Sequence, residues 1–263
     1  MFKKLFSKKQ EKPFEVKQDW ASYFCLIEDK QASVRLNLAL YGAAPIEDYK
    51  NRIWFSVLLL NPDENGLTTR EEFPAICQIE DDVLNALEKE GAVFAGAVKT
   101  NGMFDMYLYS KNADDYEGII QSVMKTYSGY KYATDFKEDA EWEKYFKFLY
   151  PSQYEYQSIQ NQRVLINLEK HGDDPEKERE VDHWIYFETN DDRESYVKKV
   201  EELGYKILSK KDLEEGKGFS FQLNISRIDN TNWSNVNQYV WELVTLAKEN
   251  NGNYDGWGCP IQN

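Results

Sequence analysis

Histidine and cysteine are scarce: two and three residues in a chain of 263. That leaves little material for metal or thiol chemistry. Cys25, Cys77 and Cys259 are scattered, odd in number and without metal-ligand spacing, which predicts buried, inert thiols. No apolar run approaches the roughly 20 residues that span a bilayer. No signal-peptide pattern opens the chain, and with the cysteine usage this points to the cytoplasm. Positive charge is also in deficit, with 32 basic against 46 acidic residues and a formal net charge of -14. Divided after Gln160, both halves carry -7 (19 basic and 26 acidic before, 13 and 20 after). Such a surface repels phosphate backbones and argues against nucleic-acid binding by either half.

What the chain does hold is ample apolar material, 41% hydrophobic and 15% aromatic, enough for two cores. Its elements fall into a repeated order. Trp20–Ile27 and Ser33–Leu40 read as a hairpin, the second run alternating Val34, Leu36, Leu38 and Leu40 with Arg35, Asn37 and Ala39. Ile53–Leu60 is nearly all apolar, as a central strand would be. Thr68 and Glu71, or Thr69 and Glu72, form a capping-box pattern before a helix that Gly91 ends. Asn101-Gly102 joins two strands, the strongest short turn signal. A helix to about Tyr127 and a strand Tyr130–Phe136 complete strand-helix-strand-strand-helix-strand. A last helix, Glu138–Leu149, carries Trp142, Tyr145, Phe146 and Leu149 on one face and stops at Pro151.

Residues 152–162 are rich in Gln, Ser and Tyr and read as a linker. A strand Arg163–Leu168 and a polar loop from His171 follow. From Val181 to Trp257 the same order of six elements repeats, with Thr189 or Asn190 capping one helix. The expected architecture is α+β: two ferredoxin-like domains, each an antiparallel sheet with helices on one face. The expected layout is a basic tail over 1–13, a first domain over 14–151, the linker, and a second domain over 163–263. In the tail, Phe2, Leu5 and Phe6 could share a helical face above lysines as a weak membrane-surface anchor, but a solvated tail is the simpler reading.

Neither half carries a complete catalytic motif. His171, Asp173, Asp174 and His183 could be assembled into a metal site, but no pair has helix spacing and Asp173-Asp174-Pro175 is ordinary turn composition. The pairs Asp114-Asp115 and Asp191-Asp192 sit where helices begin and the dipole favours negative charge. Lys217-Gly-Phe-Ser-Phe-Gln-Leu-Asn224 is similar to an RNA-recognition signature on the appropriate strand. There the positions alternating with the aromatics must be apolar, and here they are Ser220, Gln222 and Asn224. Phe219, Phe221, Leu223 and Ile225 are therefore expected to face the core.

Val181-Asp-His-Trp-Ile-Tyr-Phe-Glu-Thr189, Gly204-Tyr205, Arg227 and Gly252-Asn-Tyr-Asp-Gly-Trp257 resemble the ribonuclease E inhibitor family, regulator of ribonuclease activity type B. The resemblance covers about residues 160–260. The first half resembles an uncharacterised domain family found alone or fused upstream of such inhibitors, through Ile79-Glu80-Asp81, the Asn101-Gly102 hairpin and Trp142-x-x-Tyr145-x-x-x-Leu149-Tyr150-Pro151. The resemblance implies a non-catalytic protein that binds an endoribonuclease or its scaffold, with no cofactor. The expected role is a cytoplasmic regulator with a ribonuclease or another basic protein as partner. Candidate contact residues are Tyr254, Asp255 and Trp257, with Asp173, Asp174 and His183 as a second group. The alternatives are a hydrolase using carboxylates and His183, and an RNA-binding module.

Overall fold

The computed structural model describes residues 17–112, 114–213 and 218–263. The tail over 1–13 lies outside the described residues. The chain divides into two compact units, 1–155 and 156–263.

The first unit is built on strands β1 (Trp20–Ile27), β2 (Lys30–Asn37), β3 (Asn51–Leu58), β4 (Val93–Thr100), β5 (Met103–Ser110) and β6 (Tyr132–Glu138), with helices α1 (Phe73–Lys89) and α2 (Tyr116–Met124). Its sheet runs β1-β2-β4-β5-β3-β6, and every pairing is antiparallel. The last four strands follow the ferredoxin-like order, and the β1–β2 hairpin extends the sheet past β4. Both hairpin turns have two residues with positive φ, Glu28-Asp29 (50° and 60°) and Asn101-Gly102 (49° and 76°). This conformation matches the strand twist.

On one face Ile53, Phe55 and Val57 of β3 meet Ile76, Ile79, Val83 and Leu87 of α1, all fully buried. Each such side chain contributes about 1.5–3 kcal/mol on burial. α1 begins later than the capping-box pattern predicts. Pro74 sits in its first turn, and the Glu72 carboxylate instead accepts from the Leu60 and Asn61 amides at 2.7 and 2.8 Å.

Helices cover one face, as expected, and the opposite face is covered by an aromatic segment instead. The stretch expected to be a helix over 138–149 keeps only a short π-helical turn, Tyr145–Leu149. It lays its aromatics against the sheet. Trp142 stacks on Tyr109 with centroids 3.8 Å apart and donates to the Tyr49 carbonyl at 2.8 Å. Tyr145 donates to the Asn37 carbonyl, and Tyr23 to that of Leu149.

Helix α3 (Gln153–Lys170) replaces both the expected linker and the expected strand Arg163–Leu168. The second unit then holds β7 (Arg179–Phe187), α4 (Asn190–Glu202), β8 (Lys206–Asp212), β9 (Phe221–Asp229), α5 (Trp233–Glu249) and β10 (Gly252–Gly258). Its sheet runs β10-β7-β9-β8, antiparallel throughout, again the ferredoxin-like order. Thr189 caps α4 by accepting from the Asp192 amide, as the sequence predicts. Gly252 is required by close packing: a Cβ there would lie 2.5 Å from the Phe187 ring. Leu223 and Ile225 of β9 are fully buried, as face alternation predicts. Phe221 is only partly buried, under the Arg193 guanidinium at 5.3 Å. Phe219 lies before the strand and is exposed, which corrects its assignment to the core.

Candidate functional site

The second unit holds a groove of about 600 Å³ between α3 and β10. α3 presents Tyr156, Gln157, Gln160 and Arg163 along one side, and β10 presents Tyr254 and Asp255. These α3 positions recur at helical spacing, so one face of the helix forms the wall. The floor is a buried polar network. Asn161, 1% exposed, accepts from Trp257 Nε1 at 3.0 Å and from Gln157 at 3.2 Å, and donates to Asn237 at 2.9 Å. Every heavy polar atom of the Asn161 amide is thereby used, which fixes Trp257 beneath the groove. The Gln160 Nε2 is buried without a partner.

Asp255 is exposed and lies where the β10–β7 register shifts between Tyr254 and Gly256. The bulge turns this carboxylate out of the ladder. Trp257 is 7% exposed, so it supports the groove from below and is not a surface anchor.

The Asp173–Asp174 loop is occupied by internal bonding. The Asp173 carboxylate pairs with Arg179, accepts from the Gln262 amide at 2.8 Å and meets Thr231 Oγ1 at 3.3 Å. Arg179 also donates to the Asp174 carbonyl. Asp174 Oδ1 accepts from the Glu176 amide. These contacts tie the loop to the C-terminal segment and take Asp173 out of a partner's reach.

His183 is sealed. It has no exposed surface, and its Nδ1 lies 2.8 Å from the Tyr254 hydroxyl. The rings of Tyr205 and Tyr239 meet it edge-on at 5.6 and 5.7 Å. Burial, with the nearby Arg227 charge as a second cause, lowers its pKa to about 3. A base so placed meets no substrate, which removes the residue on which the hydrolase alternative leaned. Among the described residues no three His, Cys, Asp or Glu side chains come together as metal ligands.

The depressed pKa makes a prediction. The unfolded chain takes up a proton at His183 below about pH 6.5, while the fold resists until about pH 3. In that window the unfolded state binds more protons, so stability falls as pH falls, by up to about 1.4 kcal/mol per pH unit from this group. Urea titrations of wild type and His183→Gln from pH 7 to 4 should diverge in slope by this amount. Parallel curves would show that His183 is solvated.

In the first unit a smaller groove of about 280 Å³ gathers Arg52, Lys137, Lys144 and Lys147 with Glu138, Asp139 and Glu143. Burial and then the Arg52 charge lower the pKa of Lys144. Its ammonium rests on the Phe148 ring at 3.3 Å.

Sequence reasoning missed the α3 wall because it took residues 152–162 as a linker. The signal was present: Ser152-x-x-Glu155 after Pro151 is a capping box, and Glu155 accepts from the Ser152 amide at 2.9 Å. No glycine or proline then intervenes before Gly172.

Among solved structures, the chain is similar to an unknown protein from Galdieria sulphuraria. Identity is 13%, over 81% of this chain and 99% of that one, with a TM-score of 0.23. A putative glycine cleavage system transcriptional repressor aligns at 9% identity over 81% and 98%, with a TM-score of 0.24. Likeness this low carries no argument. No curated protein matches the chain significantly. Residues 158–259, which hold the groove and the His183 cluster almost whole, match the family described as regulator of ribonuclease activity B. Residues 18–150, just over half of the chain, match a family of unknown function (DUF695), and the chain belongs to that family with a regulator of ribonuclease activity B domain joined after it.

Proposed function

We propose that this protein is a non-catalytic, cytoplasmic regulator that binds a ribonuclease and lowers its activity, using the groove between α3 and β10 as the contact. The observation that carries the reading is the coincidence of two features. The regulator of ribonuclease activity B match covers residues 158–259, and the groove lies within that span but for Tyr156 and Gln157. The groove offers amide donors and acceptors, two tyrosines and the bulged Asp255. Such groups suit a polypeptide surface: amides bond to backbone, and the aromatic rims exclude water. The net charge of -14 favours encounter with a basic partner, so association should slow as salt screens it, within about 8 Å at physiological ionic strength.

The test is a titration of the full chain against the purified endoribonuclease of its own organism, following RNA cleavage and binding together. Cleavage should fall as the complex forms. Tyr156→Ala and Asp255→Lys, both at exposed positions of the groove, should weaken binding at least about tenfold while leaving the fold intact. Unchanged affinity in both variants would move the contact away from the groove. No binding by wild type would end the ribonuclease reading itself.

A further inference from the structure

Among the described residues the two sheets have four edges, and three carry a device that blocks pairing with another chain. β6 bears Asp135, Lys137 and Glu138. β8 bears Lys206, Lys210, Lys211 and Asp212. β10 is bulged at Asp255 and has glycine at both ends. Charges, bulges and irregular edges are how sheets resist growth. β1 has none of these. Its eight residues, Trp-Ala-Ser-Tyr-Phe-Cys-Leu-Ile, hold no charge and no proline, in a chain that is 30% charged. It pairs with β2 in one unbroken register from Trp20↔Asn37 to Ile27↔Lys30.

Among the described residues no strand pairs with the outer edge of β1, and that edge is equipped for pairing. Leu38 N–H donates to the Asp19 carbonyl at 2.8 Å, so Asp19 faces β2. Backbone direction alternates along an antiparallel strand, which turns the N–H and C=O of Trp20, Ser22, Phe24 and Leu26 outward. The side chains of Phe24 and Leu26 are 71% and 68% exposed.

We propose that β1 is a homodimer interface, in which two copies of the chain pair their β1 strands antiparallel about a two-fold axis at Tyr23 and form one twelve-stranded sheet. This register opposes Ser22 to Phe24 and Trp20 to Leu26 of the second copy, and it uses all four outward-facing residues. It also keeps charges apart: Asp19 falls opposite Ile27, and Glu28 opposite Gln18. An antiparallel strand pair is self-complementary by symmetry, which is why a second copy fits this edge better than a foreign strand. Because each copy carries -14, screening should strengthen the dimer, the reverse of the salt effect expected for a basic partner.

Sedimentation of the full chain at micromolar to hundred-micromolar concentration tests this. Wild type should pass from 31.0 kDa to twice that mass, with the midpoint falling to lower concentration as salt rises. Phe24→Lys and Leu26→Lys, each at a solvent-facing position, should stay at monomer mass with unchanged far-ultraviolet dichroism. Leu208→Lys on β8 should dimerise as wild type does. A wild type that remains monomeric throughout, or a dimer that survives both β1 substitutions or is lost in Leu208→Lys, would overturn the proposal.

Discussion

Trp142→Ala should cost the first unit about 3–5 kcal/mol, the range for emptying a buried aromatic site. The indole has no exposed surface and is among the largest fully buried side chains. One face lies flat on Tyr109, with an interplanar angle of 5°. Its Nε1 donates to the Tyr49 carbonyl at 2.8 Å. Truncation therefore removes the stack, leaves a cavity and orphans a carbonyl, and these losses add. Domains of this size have only about 5–15 kcal/mol in hand, so the variant should unfold at markedly lower urea. Trp142→Phe, which retains a ring against Tyr109 but not the donor, should lose less than Ala does. A loss below about 1 kcal/mol in the Ala variant would mean that the 139–150 segment is a detachable flap and not the second half of the core.

The same segment shows what was legible in the sequence. Trp142, Tyr145, Phe146 and Leu149 were recognisable as one apolar group; three of them are fully buried and Phe146 is half-buried. Their backbone was not, because Trp142 takes a left-handed φ of 54° that no helical periodicity announces. The aromatics are held by hydrogen bonds to carbonyls at the end of β2 and just before β3, contacts that exist only once the sheet does. Strands were easier. Period-two alternation in β2 reports directly which face meets the core, the nearly unbroken apolar run of β3 marks an inner strand of the sheet, and Asn101-Gly102 announces its turn chemically.

α3 was harder for a physical reason. Its inward positions include Asn161, which satisfies its amide through Asn237, Gln157 and Trp257. A polar residue at a core position erases the apolar stripe that marks an amphipathic helix. The groove went with it, since one of its walls is that helix. Of the expected contact residues, Tyr254 and Asp255 do reach the groove. His183 was conspicuous as one of two histidines, yet its surroundings, three tyrosines from β10, α5 and the turn before β8, come from distant parts of the chain. Sequence spacing cannot show that they seal it from water.

The second large effect concerns the loop that the sequence offered as an acidic contact. Arg179→Ala should destabilise the second unit by about 3–5 kcal/mol, the cost of stripping one partner from a buried ion pair. The Arg179 side chain has no exposed surface and that of Asp173 has 3%. The guanidinium also donates to the Lys177 carbonyl, through Nε at 3.0 Å, and to the Asp174 carbonyl. Removing it leaves a carboxylate without its cation and two carbonyls without these donors. Asp173 in turn receives the Gln262 amide, so its loss also removes one tie to the C-terminal segment. The pair is best separated from its parts by a double substitution. Arg179→Met with Asp173→Leu removes both charges together, so no uncompensated ion remains, and should recover a large share of the stability lost in Arg179→Ala. Equal losses in the single and double variants would show that the carbonyl contacts carry the loop and that the ion pair contributes little. Recovery would show the reverse: the two charges here serve each other, and the acidic loop is a fastening within the fold rather than a surface for a partner.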